Sequence, residues 1–366
     1  MRVLVTGHLG YLGSVLTPRL RAAGHAVTGL DTGLFADCLL GPAPPEVPTL
    51  RLDLRDVLPE HLAGFDAVCH LAALSNDPVG DLDPELTYEI NYRATLRLAQ
   101  AARLAGVDRF LFSSSCSLYG ASGAADSTAE PAGLAETTGF APVTAYGESK
   151  LRAERGLVAL ADERFCPVLL RNATAYGFSP RLRADVVVND LVGHALLTGE
   201  VRLRSDGSAW RPLVHADDIA TAFVALLRAP RDTVHGRAYN VGLSAENYRI
   251  RQVAELVADV VGDCVVTVAA GAGADNRDYR VNCDRLAAEV PDFQPRWSVR
   301  QGIEELVEAY RRHGLTLADL SGDRHQRLRR VRSLRDAGRL DPDLRWTDPL
   351  WHLADQGIRP VGAESR

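Results

Sequence analysis

The sequence lacks the features that mark several classes of protein. Its six cysteines are thinly spread over 366 residues, and none has Cys-x-x-Cys spacing, which argues against a disulfide framework and against structural zinc. No apolar run approaches the ~18 residues that a membrane helix needs. The charged start, Met1-Arg2, leads directly into a short apolar segment, so we expect no signal peptide.

Neither sign of charge is in large excess. The chain carries 41 basic and 47 acidic side chains, a formal net charge of −6, which argues against a general nucleic-acid-binding surface. Apolar residues make up 46% of the chain and charged residues 24%, which is typical of a globular protein with one large domain or two ordinary ones. We therefore expect a cytoplasmic enzyme or binding protein that uses neither membranes, nucleic acid nor metal.

Lysine is almost absent. Of the 41 basic side chains only Lys150 is a lysine, and all the others are arginines. Arginine serves wherever positive charge alone is needed, so a single lysine indicates a place where the planar guanidinium does not fit. The alternative is that one lysine survived by chance.

The order of strand and helix patterns predicts an α/β protein. Apolar segments at 2–6, 26–30, 50–52, 66–70, 109–113 and 168–171 predict strands, and amphipathic segments at 11–23, 84–105 and 143–160 predict helices between them. This alternation indicates a doubly wound parallel sheet covered on both faces.

After about residue 175 the pattern changes to a smaller mixed α/β lobe. Helices are predicted at 185–198, 217–227, 251–261 and 300–312, and strands at 201–203, 238–241 and 264–268. The predicted domains are 1–175, with a return of the chain at 213–242, and 176–312. Residues 313–366 form a charged extension, which we expect to pack on the second lobe or on a partner subunit through Trp346 and Trp351.

A glycine-rich segment follows the first predicted strand and opens the first predicted helix. Residues 6–13 read Thr-Gly-His-Leu-Gly-Tyr-Leu-Gly, and glycines at this position let a diphosphate approach the helix N-terminus. Asp31 ends the second predicted strand, where a carboxylate accepts hydrogen bonds from ribose hydroxyls and favours NAD over NADP. Asp53, after the third strand, suits an adenine contact. An ordinary glycine turn and a turn-initiating aspartate are the alternatives.

A serine run and a Tyr-x-x-x-Lys motif supply candidate catalytic groups. Ser115 ends the run 113–115 after the fifth predicted strand, and Tyr146 and Lys150 share one helix face through their i, i+4 spacing. A phenol with a pKa of ~10 is a poor base at neutral pH, so a nearby ammonium that favours the phenolate gives the spacing a chemical purpose. Without the Tyr-Lys pair, the serines would suit a plain turn.

With these motifs the chain resembles the extended short-chain dehydrogenase/reductase superfamily, in particular the NAD-dependent nucleotide-sugar epimerase/dehydratase family and its UDP-glucose 4-epimerase-like members. The resemblance covers about residues 1–312 and implies a Rossmann-type doubly wound parallel sheet with a smaller mixed α/β substrate lobe. Beyond the motifs above, it rests on His-Leu-Ala-Ala at 70–73, Asn91, Leu-Arg-Asn-Ala-Thr-Ala-Tyr-Gly at 170–177 and Arg-Pro-Leu-Val-His-Ala-Asp-Asp at 211–218.

The resemblance implies a role for each matching residue. It makes Ser115, Tyr146 and Lys150 the catalytic residues. It implies that NAD is held by Gly7, Gly10, Tyr11, Leu12, Gly13, Asp31, Asp53, Leu54, Leu71, Ala72, Ala73, Asn91, Tyr146, Lys150 and Ala173. The nucleotide sugar would contact Ser115, Thr174, Asn189, Arg211 and Arg277, although a structural ion pair is an equal alternative for Arg277.

Departures from the family pattern reduce the number of reactions that this chain is expected to catalyse. Family dehydratases carry an Asp-Glu pair just after the catalytic serine or threonine, and this chain has Cys116 and Ser117 there, which disfavours elimination and decarboxylation. Thr174 replaces an asparagine that is usual in many epimerases. We therefore predict a nucleotide-sugar epimerase acting at C4 through a 4-keto intermediate. A nucleotide-sugar oxidoreductase with the same site and a non-catalytic NAD-bound sensor are the alternatives.

The resemblance also implies a homodimer. In the family, the helices corresponding to 84–105 and 143–160 pair with those of a second subunit. Here both carry apolar residues on more than one face, which is more than one buried stripe requires.

Overall fold

A computed structural model describes residues 1–75, 77–80, 82–122, 133–273, 275, 277–348 and 351. Its strands are β1 (Arg2–Thr6), β2 (Ala26–Asp31), β3 (Thr49–Arg51), β4 (Ala67–His70), β5 (Arg109–Ser115), β6 (Cys166–Asn172), β7 (Thr174–Tyr176), β8 (Glu200–Leu203), β9 (Trp210–His215), β10 (Ala238–Val241), β11 (Asn247–Arg249) and β12 (Val265–Val268). Seven of them form one sheet in the order β10-β6-β5-β4-β1-β2-β3, and every neighbouring pair is parallel. The predicted fold class is confirmed.

Helices cover both faces of this sheet. The α-helices of the described residues, in both lobes, are α1 (Tyr11–Ala22), α2 (Asp77–Gly80), α3 (Pro84–Tyr88), α4 (Ala94–Leu104), α5 (Ala145–Ala159), α6 (Val187–Thr198), α7 (Ala216–Arg228), α8 (Arg231–Val234), α9 (Ile250–Val261), α10 (Asp284–Glu289), α11 (Val299–His313), α12 (Leu317–Ser321) and α13 (Arg327–Asp336). Alternate strand residues point to opposite faces. Val3 and Val5 therefore pack with α1 and α7, whereas Leu4 packs with α4 and α5.

The long helix predicted at 84–105 contains a change of winding. Between α3 and α4, residues Glu89–Arg93 form a π-helical turn. Such a turn inserts one extra residue into a helix and is frequent at functional sites. Here it carries the buried Asn91, whose amide bonds to the backbone of the loop after β4.

The second lobe is a separate mixed structure. The strands β11-β9-β7 form one small sheet and β12-β8 another, and the helices α6, α9 and α11 pack around them. Strands β7, β9 and β11 were not among the predicted elements. Strand β10 lies outside this lobe, because it pairs with β6 at the edge of the main sheet.

The charged extension lies on both lobes. Leu320 of α12 packs in the core of the second lobe. The prediction is wrong for Trp346, whose indole N–H donates to the carbonyl of Thr32 in the loop after β2, 2.8 Å away. Arg345 forms an ion pair with Asp56 of the same domain. Residues 349, 350 and 352–366 of the predicted extension lie outside the described residues.

The turn between β1 and α1 is packed so tightly that side chains do not fit. Gly7 has a φ of +73°, and a Cβ atom there would lie 2.8 Å from the backbone nitrogen of Ala72. A Cβ at Gly13 would lie 2.3 Å from the carbonyl oxygen of Gly7. Both obstacles are backbone atoms, so the helix itself would have to move to admit a methyl group.

We therefore expect Gly13→Ala to lower the free energy of unfolding by ~1–3 kcal/mol, the usual cost of overpacking. Gly139→Ala is the matched control, because a Cβ atom added at Gly139 would meet no atom of the described residues within 4 Å. Denaturant titration of both variants measures the difference. Equal stabilities for the two variants would contradict this account of the turn.

Candidate active site

A cavity of about 1440 Å³ lies between the main sheet and the second lobe. It opens at the carboxyl ends of the parallel strands, where ligands bind in folds of this kind. Gly7, Asp31, Leu71, Ser115 and Ala173 line it, and each follows or ends a different strand of the sheet. The cavity exceeds the ~300–1,000 Å³ usual for a single small ligand.

The glycine-rich turn offers a cradle for a diphosphate at one end of the cavity. Helix α1 begins after Gly10, which provides no side-chain cap for the first amides. Asp31 fixes the surrounding loops, because its carboxylate accepts hydrogen bonds from the backbone N–H groups of Leu9 (3.0 Å) and Gly33 (2.8 Å). Open helix amides beside side-chain-free glycines fit the diphosphate of a dinucleotide.

Asp53 lines the same cavity but is engaged by the protein itself. Its carboxylate accepts hydrogen bonds from Nε (2.8 Å) and Nη2 (2.6 Å) of Arg55. Burial favours a higher pKa for Asp53, but the bonds from Arg55 outweigh it and hold the pKa below its usual value. The predicted adenine contact would have to share oxygens that Arg55 already occupies.

The three predicted catalytic side chains lie together at one wall of the cavity. Lys150 is 3% exposed, and its Nζ donates to the carbonyl oxygen of Ser113 over 2.7 Å. The same Nζ lies 5.7 Å from the centre of the Tyr146 ring. Tyr146 and Ser115 both line the cavity, and the Ser115 hydroxyl acts to lower the pKa of Tyr146. A phenol and an alcohol thus face the cavity together, with an ammonium group behind them.

Burial decides the protonation of this group. It raises the pKa of Tyr146 to about 12, and the carboxylate of Asp77 adds to this, while the Ser115 hydroxyl acts in the opposite direction. Burial also lowers the pKa of Lys150 to about 7, which Glu154 partly offsets. We expected Lys150 to lower the pKa of Tyr146, but the effect of burial on this pKa is larger. The phenol is therefore protonated at neutral pH.

A buried ion pair between Glu154 and Arg171 connects the elements that carry the catalytic side chains. Glu154 and Arg171 lie 2.8 Å apart, and Glu154 also accepts a hydrogen bond of 2.5 Å from Ser114. The pair joins α5 to β5 and β6, the elements that carry Lys150 and Ser115. Sequence analysis missed it, although Glu154 lies one helical turn beyond Lys150, on the same face.

The second lobe contributes two arginines that already have acidic partners. Nη2 of Arg211 lies 2.6 Å from Asp275, and Arg277 binds both oxygens of Asp275 at 3.0–3.1 Å. Arg277 also contacts Asp77 across the cavity. Thr174 lines the wall beside them. A diphosphate on these guanidinium groups would compete with carboxylates for the same donors.

Asn91 and Asn189, which the resemblance assigns to ligand contacts, are not among the residues that line the cavity. Asn91 accepts from Leu74 N (2.8 Å) and donates to Leu74 O (3.0 Å). Asn189 accepts from Gly177 N (3.0 Å) and donates to Arg183 O (3.0 Å). Both amides are buried and brace loops behind the cavity wall, so their polar groups serve the protein.

The structure brings in one basic residue that no motif singled out. Arg183 lines the cavity, forms an ion pair with Asp185 (2.9 Å) and donates to the carbonyl oxygen of Ser75 (3.1 Å). It therefore links the second lobe to Ser75, which follows β4 and also lines the cavity.

Two other features are absent from the described part of the chain. No group of three or more histidine, cysteine, aspartate or glutamate side chains there could hold a metal ion. None of the described helices combines the length and apolar character needed to cross a membrane.

Comparison with known proteins gives a consistent assignment. Residues 3–242 match the sequence profile of the NAD dependent epimerase/dehydratase family. A UDP-glucose 4-epimerase of Mycolicibacterium smegmatis is 33% identical over 321 residues, 85% of this chain and 99% of that protein. UDP-glucuronic acid decarboxylase 1 of Arabidopsis thaliana is 25% identical over 320 residues, 85% of this chain and 70% of that protein.

A solved structure has the same fold with ligands bound. MoeE5 in complex with UDP-glucose and NAD superimposes with a TM-score of 0.73 at 28% identity, covering 86% of this chain and all of that one. The match to the family profile extends over more than half of the sequence and begins at the glycine-rich turn. The chain therefore belongs to the NAD dependent epimerase/dehydratase family, and its cofactor is NAD.

Proposed function

We propose that the protein is a nucleotide-sugar epimerase that inverts C4 of the sugar through a 4-keto intermediate. The observation that carries the proposal is the group of Ser115, Tyr146 and Lys150 at one wall of the cavity, without a carboxylate pair next to it. Cys116 is buried and its thiol donates to Arg171 O, away from the cavity. Ser117 is no acid or base at neutral pH, so elimination lacks its usual groups.

The proposed reaction assigns one role to each of the three side chains, Ser115, Tyr146 and Lys150. Tyr146 is protonated in the free protein, so it must first reach the phenolate form. As phenolate, its Oη takes the proton of the C4 hydroxyl and later returns it, while Ser115 Oγ donates a hydrogen bond to the same sugar oxygen. In its ammonium form Lys150 favours the phenolate of Tyr146, and the positive ring of bound NAD would favour it further. NAD supplies the hydride acceptor when it is bound and is restored at the end of each turnover.

We assign the holding of NAD to the residues of the resemblance that line the cavity. These are Gly7, Gly10, Tyr11, Leu12, Gly13, Asp31, Asp53, Leu54, Leu71, Ala72, Ala73, Tyr146, Lys150 and Ala173. Their backbone amides suit a diphosphate, and their carboxylates suit ribose hydroxyls. Their small side chains leave room for a flat ring. Arg211, Arg277 and Thr174 are the proposed contacts to the nucleotide sugar.

The direct test is to incubate the purified protein with UDP-glucose and other nucleotide sugars, without added cofactor, and follow the sugar by NMR. We expect a C4 isomer to form until equilibrium is reached, with no net change in NADH absorbance. Tyr146→Phe should remove this activity, because the ring remains but the proton-transferring hydroxyl is lost. Stoichiometric oxidation or reduction of cofactor would instead identify a one-directional oxidoreductase. If none of the nucleotide sugars is converted, the result would favour the alternative of a non-catalytic NAD-bound sensor.

Replacing Lys150 with arginine tests why the chain retains one lysine. The planar guanidinium does not fit the space in which Nζ meets the carbonyl oxygen of Ser113. We expect Lys150→Arg to fold, to bind NAD more weakly and to lose ~100-fold or more of its activity. Arg152→Lys on the exposed side of the same helix is the control and should keep full activity. Near-normal turnover in Lys150→Arg would refute the role of the lysine.

We also propose that the protein is a homodimer that uses the outer side of α4 and α5. Of the apolar residues that suggested this, Leu98 and Leu157 are buried within one subunit. The proposal therefore depends on Leu104 and Val158, which are 76% and 45% exposed near the ends of the two helices. Light scattering should give twice the chain mass of 39.6 kDa, and a monomer at micromolar concentration would refute the dimer.

Two further assignments complete the proposal. The chain is divided into a cofactor domain (1–175, with a return at 213–242), a substrate lobe (176–312) and an extension (313–366). Within the return to the cofactor domain, β10 is the strand that joins the main sheet, by pairing with β6. Its six cysteines are free thiols, which favours the reducing cytoplasm as its location.

A further inference from the structure

The C-terminal extension forms part of the cavity wall. Residues of α12, α13 and the segment after them line it: Leu320, Ser321, Gln326, Arg327, Leu328, Arg329, Arg332 and Leu344. The sequence match to the family ends at residue 242, so these residues lie outside the part that the family profile describes. Part of the cavity wall thus comes from residues that the family profile does not describe.

Arg327 is the most enclosed of the three arginines in this set. It is 4% exposed, and its guanidinium lies against the ring of Phe35, with 4.2 Å between Cζ and the ring centre. Nη2 donates to the carbonyl oxygen of Arg181 over 3.3 Å. Nη1 is buried and has no hydrogen-bond partner within the described ranges of the chain.

The positive charge of Arg327 is not balanced by an ion pair of its own. Asp185 is the nearest candidate, but its carboxylate forms an ion pair with the guanidinium of Arg183 and accepts the backbone N–H of Arg327. No ion pair of Arg327 is found among residues 1–75, 77–80, 82–122, 133–273, 275, 277–348 and 351. Burial, reinforced by Arg183, lowers the pKa of Arg327 to about 10. Leaving a buried charge unpaired is strongly destabilising, so this arrangement suits an anion in the cavity.

The position of Arg327 favours the cofactor end of the cavity. Phe35 belongs to the loop that follows Asp31. Arg181, which accepts the bond from Arg327, itself donates to Ser14 Oγ (3.0 Å) in the first turn of α1. The guanidinium is therefore held between Phe35, in the loop after β2, and the backbone of Arg181, whose own side chain reaches the first turn of α1.

We propose that Arg327 of the C-terminal extension binds a diphosphate group in this cavity and so makes the extension a part of the ligand-binding site. Both ligands of the proposed function carry a diphosphate, and the location of the guanidinium favours that of the dinucleotide. The inference rests on the proposed function only for the nucleotide sugar, since the family assignment already supplies NAD.

The test compares Arg327→Met with Arg330→Met in the holoenzyme. Arg330 lies on the same helix and pairs with Asp37, but it does not line the cavity. We would measure the release of NAD by exchange with isotopically labelled NAD, and the affinity for UDP-glucose by titration calorimetry. Neither readout requires turnover, so failure of the proposed epimerase activity would leave the result for Arg327 interpretable.

We expect Arg327→Met to release NAD at least ~10-fold faster than Arg330→Met, the size of effect expected for a lost charge-assisted hydrogen bond. A ~10-fold loss of UDP-glucose affinity with unchanged NAD release would also support a diphosphate contact and would assign it to the nucleotide sugar. Unchanged values for both ligands, or equal changes in the two variants, would overturn the proposal.

Stability distinguishes ligand binding from a structural role. After removal of NAD, Arg327→Met should melt at the same temperature as the wild-type protein or above it, because methionine removes a buried charge and fills a similar volume. A lower melting temperature in the NAD-free variant, or failure of the variant to fold, would show that the guanidinium serves the fold and would refute the proposal.

Discussion

The hydrogen bond from the Lys150 ammonium to the carbonyl oxygen of Ser113 joins helix α5 to the end of strand β5. Tyr146 lies one helical turn before Lys150, and Ser115 lies two residues after Ser113, so this single contact brings the phenol and the alcohol together. An ammonium buried without a partner would cost several kcal/mol. The hydrogen bond to Ser113 O avoids this cost, and it fixes the position of α5, and with it Tyr146, relative to the end of β5.

The surroundings of the cavity contain several buried cations. Lys150, Arg183 and Arg327 are all less than a tenth exposed, and of the three only Arg183 has a carboxylate in an ion pair within the described residues. Buried positive charge without acidic partners is unfavourable in a protein alone and favourable beside phosphate groups. A cavity large enough for a dinucleotide and a nucleotide sugar, with this excess of cations, agrees with the family's choice of cofactor.

The extension adds a wall to a site that the parallel sheet by itself leaves open. Trp346 is anchored to Thr32, and Arg345 to Asp56, so the chain after α13 lies across the loops that follow β2 and β3. Leu344 packs with Leu74 and other apolar side chains beneath it. This cover limits access to the cofactor end of the cavity, which suits a reaction in which NAD is regenerated and does not need to leave.

The sequence by itself determined the elements whose signals are local. The alternation of apolar segments and amphipathic helices predicted the sheet, and the glycines at 7, 10 and 13 predicted a turn that the structure shows to have no room for side chains. Tyr146 and Lys150 were recognisable because their i, i+4 spacing lies within one helix and needs no knowledge of the rest of the fold.

The tertiary structure alone decided contacts between distant segments. Asn91 and Asn189 match family positions, yet their amides bond to backbone groups behind the wall, which only the folded loops reveal. Strands β7, β9 and β11 lie far apart in the sequence and form their sheet by pairing with one another, which no local pattern indicates. The approach of Arg327 to Arg181 joins residues 146 positions apart. Such a contact has no local pattern in the sequence, because it is set by how the whole chain packs.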